Sequence, residues 1–114
     1  MLKKNNRLTK KKDFDRLFQL EQAKYYGNVL GVRIAKNQLK YNRFGIIISK
    51  KLCRLAVGRN RVRRQISSLI RQDLDKLQPG FDVVILIIDK QTKNNRQFFQ
   101  KELQEAWKRL KIIV

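Results

Sequence analysis

Asn60-Arg61-Val62-Arg63-Arg64-Gln65-Ile66-Ser67-Ser68-Leu69-Ile70-Arg71-Gln72-Asp73-Leu74-Asp75-Lys76-Leu77-Gln78-Pro79-Gly80-Phe81-Asp82-Val83-Val84-Ile85-Leu86-Ile87-Ile88 reads as an amphipathic helix, a turn and a buried strand. Val62, Ile66, Leu69, Ile70, Leu74 and Leu77 recur at helical spacing and make one apolar stripe, so a helix is expected over about Asn60 to Leu77 with that stripe packed on a sheet. Arg61, Arg64, Ser68 and Arg71 fall on the side away from the stripe and face outward. Pro79-Gly80 stops the helix, and the nearly unbroken apolar run that follows belongs to a strand buried on both faces, central in its sheet.

Working outward, Thr9 is a candidate N-cap for a first helix in which Phe14, Leu17 and Phe18 recur at i, i+3, i+4, ending near Leu20. Val29 to Ala35 and Arg43 to Ser49 are β-like and are expected to pair as a hairpin across a longish polar loop. Lys50 to Gly58 reads as a basic connector. A last helix from about Asn95 to Lys111 turns Phe99, Leu103, Ala106, Trp107 and Leu110 inward, with a Glu105/Arg109 pair outside. The expected architecture is a single α+β sandwich over residues 1–114, order α-β-β-α-β-α with room for one extra short strand, its helices packed on one small sheet. No repeat or interdomain linker is visible.

The charge is extreme: 28 Lys and Arg stand against 9 Asp and Glu, a net +19. Between Gln22 and Gln72 there is no acidic residue at all. A cationic tract of that length in a chain that is 42% hydrophobic, with six Phe, three Tyr and one Trp, describes a folded domain with an anionic partner, and nucleic acid fits best. The chain has no histidine, which removes imidazole acid–base chemistry and His-based metal sites. Cys53 is the only cysteine, so no internal disulfide forms, and a small structural filler inside the cell is the expected role. Met1 to Arg7 carry charge without a following apolar stretch, and the run Val83–Ile88 is far short of a membrane span, so neither a signal peptide nor a membrane association is expected.

Lys50, Lys51, Arg54, Arg59, Arg61, Arg63 and Arg64 crowd the point where a strand feeds a helix. Phosphates are the natural ligand there, because guanidinium forks hold two phosphate oxygens and a helix N-terminus adds partial positive charge. Asn60 could cap the helix or touch RNA. Phe14 and Phe18, at i, i+4 with Leu17 beside them, fit ordinary core packing.

Ser49-Lys50-Lys51, Ala56-Val57, Arg59-Asn60-Arg61 and Arg63-Arg64, with Arg7-Leu8-Thr9-Lys10-Lys11-Lys12-Asp13-Phe14 before them and Phe81-Asp82-Val83-Val84 after, resemble the protein subunit of bacterial ribonuclease P. The resemblance implies a fold like domain IV of the translocation elongation factor, with a left-handed βαβ crossover where pattern reasoning alone would choose a right-handed one. It also implies a cytoplasmic ribonucleoprotein, one protein per RNA, in which the RNA subunit binds Mg and cleaves precursor tRNA while the protein binds no cofactor and carries no catalytic residue. Lys50, Lys51, Arg54, Arg59, Asn60, Arg61, Arg63, Arg64 and Arg71 would then face the catalytic RNA subunit. Phe14, Phe18 and Arg33 would meet the 5′ leader of precursor tRNA.

Two departures from that pattern stand out. The strand Val29–Ile34 lacks the aromatic that many relatives place there, and Tyr25, Tyr26 or Arg33 could substitute. Ser67-Ser68 stands where a further arginine is usual, and Arg71 could cover the same phosphates. Other readings are a ribosomal or assembly-type RNA-binding protein, a protein-only nuclease built on Asp13, Asp15, Asp73, Asp75, Asp82 and Asp89, and a DNA-binding regulator, which lacks a helix-turn-helix pair.

Overall fold

A computed structural model describes residues 2–20, 23–49, 54–88 and 95–113. Lys50, Lys51, Cys53 and Asp89 lie outside the described residues. In chain order the elements are α1 (Lys11–Leu20), β1 (Ala23–Tyr26), β2 (Leu30–Lys36), β3 (Arg43–Ile47), α2 (Ala56–Asp73), β4 (Phe81–Ile87) and α3 (Asn95–Arg109). The extra strand that the sequence left room for is β1.

The four strands form one mixed sheet in the order β1-β2-β4-β3. β1 and β4 each run antiparallel to β2, while β3 and β4 are parallel and joined through α2. The expected hairpin between the second and third strands is therefore wrong: β2 and β3 flank β4 and do not pair. The cause lies in β4, whose Val83, Val84 and Ile85 are fully buried and whose backbone takes a neighbour on each side. Two strand spacings, about 10 Å, then separate β2 from β3. Their connection arches across the end of β4, pinned by two buried asparagines. Asn37 Nδ2 donates to Asp82 Oδ1 (3.0 Å) and to the Tyr41 carbonyl (3.2 Å). Asn42 Nδ2 donates to the Gln78 carbonyl (2.9 Å), and its Oδ1 accepts from the Phe81 amide (2.8 Å). Gly80 turns at φ 93°, a left-handed angle that explains the glycine, and its carbonyl accepts from the Asn37 amide.

Strand alternation sorts the core into two layers. On one face Leu30, Val32, Ile34, Phe44, Val83, Ile85 and Ile87 pack against Ile66, Leu69 and Ile70 of α2 and Phe99, Leu103, Ala106 and Trp107 of α3. Trp107 is fully buried, meets Phe44 edge-on at 6.4 Å, and donates Nε1–H to Asp73 at the end of α2 (3.1 Å). On the other face α1 buries Leu17 against Leu8, Ala35 and Val84, with Phe14, Phe18, Ile47 and Leu86 packed around them.

Two expected helix starts are corrected. The Lys10 carbonyl, not a Thr9 cap, takes the first amides of α1, those of Asp13 and Phe14. Helix α2 begins at Ala56, behind Leu55, whose extended backbone offers no side-chain cap. Gly58 stands in the first turn, outside the helix interior where the backbone entropy of glycine costs most. Asn60 consequently lies within the helix and is not its cap.

Candidate nucleic-acid interface

Two basic surfaces arise from this arrangement. The first is the outer face of α2. Arg54, Asn60, Arg61, Arg64 and Arg71 are exposed, and the first turn of the helix carries no acidic residue. Arg59 donates from Nη1 to the Arg54 carbonyl (2.8 Å), which fixes one guanidinium across the helix entrance. The stripe holds within α2, where Ile66, Leu69 and Ile70 are buried opposite these cations, but the helix ends at Asp73 and not at Leu77: Leu74–Lys76 form a tighter 3-10 turn, and Leu77 is buried from extended backbone that bridges to Ile113. Arg63 points elsewhere: it is half-buried and lines a small groove with Arg7, Phe14, Phe44, Gly45 and Ser67, toward the α1 side of the molecule.

The second surface is the face of the sheet that α1 only partly covers. Phe14 and Phe18 are half-buried, each touching the small core layer while keeping an exposed edge. Phe14 lies directly over Gly45 of β3, where a Cβ would come within 2.5 Å of its ring. Gly45 is thus the empty place in β3 that seats the ring. Phe18 sits farther along α1. The Arg33 guanidinium of β2 lies 5.3 Å from the centre of its ring and 5.7 Å from that of Tyr26, and Nε donates to the Tyr26 hydroxyl (2.8 Å). A cation held between two rings presents a flat, positively charged floor, suited to a phosphate beside stacked bases. Lys24 stands directly opposite Arg33 in the β1–β2 register, which puts a second cation on the same face of the sheet.

Tyr26 is the residue of this surface that the sequence left undecided among three. The alternation of β1 turns Tyr26, and not Tyr25, to this face. Tyr25 faces the larger core layer and Tyr26 faces Arg33. Gly31, opposite Tyr26, leaves room for the tyrosine ring, since a Cβ there would lie 2.5 Å from it. Burial raises the Tyr25 hydroxyl above its ordinary pKa, Glu102 and Glu105 add to the rise, and Arg109 opposes it.

The carboxylates do structural duty. Arg43 grips Asp82 with Nε and Nη2 (2.8 and 2.7 Å) and reaches Asp13 on α1 (3.3 Å), fastening the start of that helix to β3 and β4. The Asp82 hydrogen bonds raise the Arg43 pKa, burial opposes this, and the charges of Asp82 and Asp13 add to the rise. Asp73 accepts from Trp107 and Gln104. Among the described residues no three acidic or cysteine side chains are grouped to hold a metal ion, and no helix is long and apolar enough to cross a membrane.

The structure places Phe14, Phe18, Arg33 and Tyr26 on the α1 face of the sheet, Asn60, Arg61, Arg64 and Arg71 on the outer face of α2 and Arg54 and Arg59 at its entrance, with Arg63 turned toward the α1 side. The ribonuclease P family model matches residues 2–111. A ribonuclease P protein component from Pseudanabaena is 32% identical over 99% of this chain and 97% of its own length. One from Fusobacterium nucleatum is 34% identical over 95% of this chain and 99% of its own. The fold is shared with the RNase P protein of Staphylococcus aureus (TM-score 0.83, 23% identity, 96% of this chain and 98% of that one). It is shared also with that of Thermotoga maritima (TM-score 0.68, 24% identity, 91% and 93%). On its sequence, its fold and the extent of these matches, the chain belongs to the family of ribonuclease P protein components.

Proposed function

We propose that this chain binds a catalytic RNA subunit along α2 and holds the 5′ leader of precursor tRNA in the cleft between α1 and the sheet, while the RNA cuts the phosphodiester. The Mg ions of the reaction belong to the RNA, and the protein supplies binding. One protein serves one RNA, in the cytoplasm. The observation that carries this reading is the Arg33 guanidinium set between Phe18 and Tyr26 on a half-covered sheet face. Both contacts stand beside open sheet surface, where a base can stack and a phosphate can meet the guanidinium. Stacking on such rings contributes about 1–3 kcal/mol per base and tolerates any base, which suits an enzyme with many substrates.

The α2 surface has a different task. Exposed arginines spaced along one helix flank neutralise a phosphate backbone and release counterions. If roughly six to ten phosphates are met, RNA affinity falls by about 10³–10⁵ between 50 and 200 mM salt. The test separates the two surfaces in a complex reconstituted with a bacterial catalytic RNA. Arg61→Ala with Arg64→Ala is expected to weaken assembly with that RNA and to flatten the salt response. Phe18→Ala is expected to leave assembly intact and to weaken precursor tRNA alone. The same loss for both substrates of the assay from both variants would overturn the division of labour.

A further inference from the structure

A second groove lies around the β1 edge from the leader cleft, between β1, the turn after it and α3, with a volume of about 600 Å³. Tyr25, Tyr26, Asn28, Phe98, Lys101 and Arg109 are among the residues that line it. We propose that it is a distal single-strand RNA subsite, taking leader nucleotides farther from the cleavage junction than those in the α1 cleft. The proposal rests on the leader reading given above and extends it to a different part of the molecule.

Three observations carry it. The first is continuity. Tyr26 belongs to both places: its ring flanks Arg33 in the cleft and also lines the groove, because β1 is an edge strand with no strand paired beyond it among the described residues.

The second is direction. Arg63 and Ser67 of α2 share a groove with Phe44, Gly45 and Ile46 of β3 and with Arg7 and Leu8, which bridge to Phe44, so the arginine-bearing helix approaches the β3 edge across that segment. From there Phe14 sits over β3, Phe18 beside Arg33 of β2, and Tyr26 on β1. A strand leaving the RNA subunit at the β3 edge meets these rings in turn and departs over β1, where the next ring is Phe98.

The third is chemistry. Phe98 is 49% exposed, a large ring with half its surface in water, and Lys101 stands one helical turn on, placed to meet a phosphate beside a stacked base. The two acids of the groove already have donors. Glu102 accepts the amides of Asn28, Val29 and Leu30 (2.9, 3.0 and 3.1 Å), and Glu105 pairs with Arg109 (3.0 Å).

The experiment uses the complex reconstituted with a bacterial catalytic RNA and precursor tRNAs whose leaders have about 4 and about 16 nucleotides, the range of single-strand site sizes. Phe98→Ala is expected to raise the Kd of the long-leader substrate about 5- to 150-fold, the effect of losing one stacking ring, while the short-leader Kd stays unchanged. Phe98→Trp keeps the long-leader affinity, and Lys101→Ala makes its salt dependence shallower. An unchanged long-leader Kd in Phe98→Ala, or equal weakening of both substrates, overturns the distal subsite. Phe18→Ala run in parallel keeps the two readings apart. If it weakens both substrates while Phe98→Ala weakens neither, the cleft stands and the subsite falls. If Phe18→Ala weakens neither, the cleft reading itself fails.

Discussion

Replacing Gly45 by Ala puts a methyl group under the Phe14 ring. The added carbon would lie 2.5 Å from both Cε1 and Cζ, against the ~3.5–4.0 Å at which carbons pack, so the ring must rise by about 1 Å or swing outward. The Leu8 Cβ at 3.4 Å can stay. Phe14 has an exposed edge, so it can move, but it then leaves part of its contact with the small core layer. We expect Gly45→Ala to destabilise the protein by about 1–2 kcal/mol, the lower part of the range for overpacking. In a Phe14→Ala background the obstacle is gone, and the same substitution is expected to cost close to nothing. Urea denaturation of the four proteins measures the coupling directly, about 1–2 kcal/mol, and leader affinity of the reconstituted complex shows whether Gly45→Ala mimics Phe14→Ala in binding. An equal cost of Gly45→Ala in both backgrounds would refute the seating of the ring on Gly45.

Other substitutions probe the scaffold. Arg43→Ala leaves the buried Asp82 carboxylate with Asn37 as its remaining side-chain donor, and urea titration is expected to show a loss of about 3–5 kcal/mol. Glu102→Gln weakens the acceptor of three successive backbone amides, so about 1.5–3 kcal/mol should be lost, with faster hydrogen exchange at Asn28, Val29 and Leu30. Tyr25 has a raised pKa in the folded state. Its stabilising contribution is therefore complete below pH 10.0 and declines as pH rises from there through the higher folded value, since the unfolded tyrosine ionises first. Tyr25→Phe should flatten the fall in stability measured across that alkaline range.

Much of this molecule is legible in its sequence, for physical reasons that also mark where legibility ends. The stripe Val62 to Ile70 and the inward face of α3 are set by helical periodicity, which one chain segment carries by itself, whereas the same spacing continued to Leu77 overran the end of α2 at Asp73. The apolar run of β4 announces burial on both faces. It does not announce its neighbours: strand pairing is a long-range matter, and β2 and β3 read as a hairpin because their loop is polar, whereas β4 separates them. β1 is four residues long with only Ala23 and Tyr25 turned to the larger core, too short an alternation to stand out. The cations of α2 were visible from composition, but Arg63 departs from its neighbours because a half-buried corner needs tertiary contact to exist. The role of Tyr26 likewise depends on Arg33, a residue seven positions away across a turn.

The central claim is that the cleft between α1 and the sheet recognises single-stranded leader. The most direct measurement is the ratio of Kd values for precursor and mature tRNA in the reconstituted complex, for the natural sequence and for Arg33→Ala. The account predicts clear preference for the precursor with the natural sequence and a ratio approaching one in the variant, with mature tRNA binding unaltered. Equal affinity for both RNAs with the natural sequence, or a preference untouched by Arg33→Ala, would contradict it.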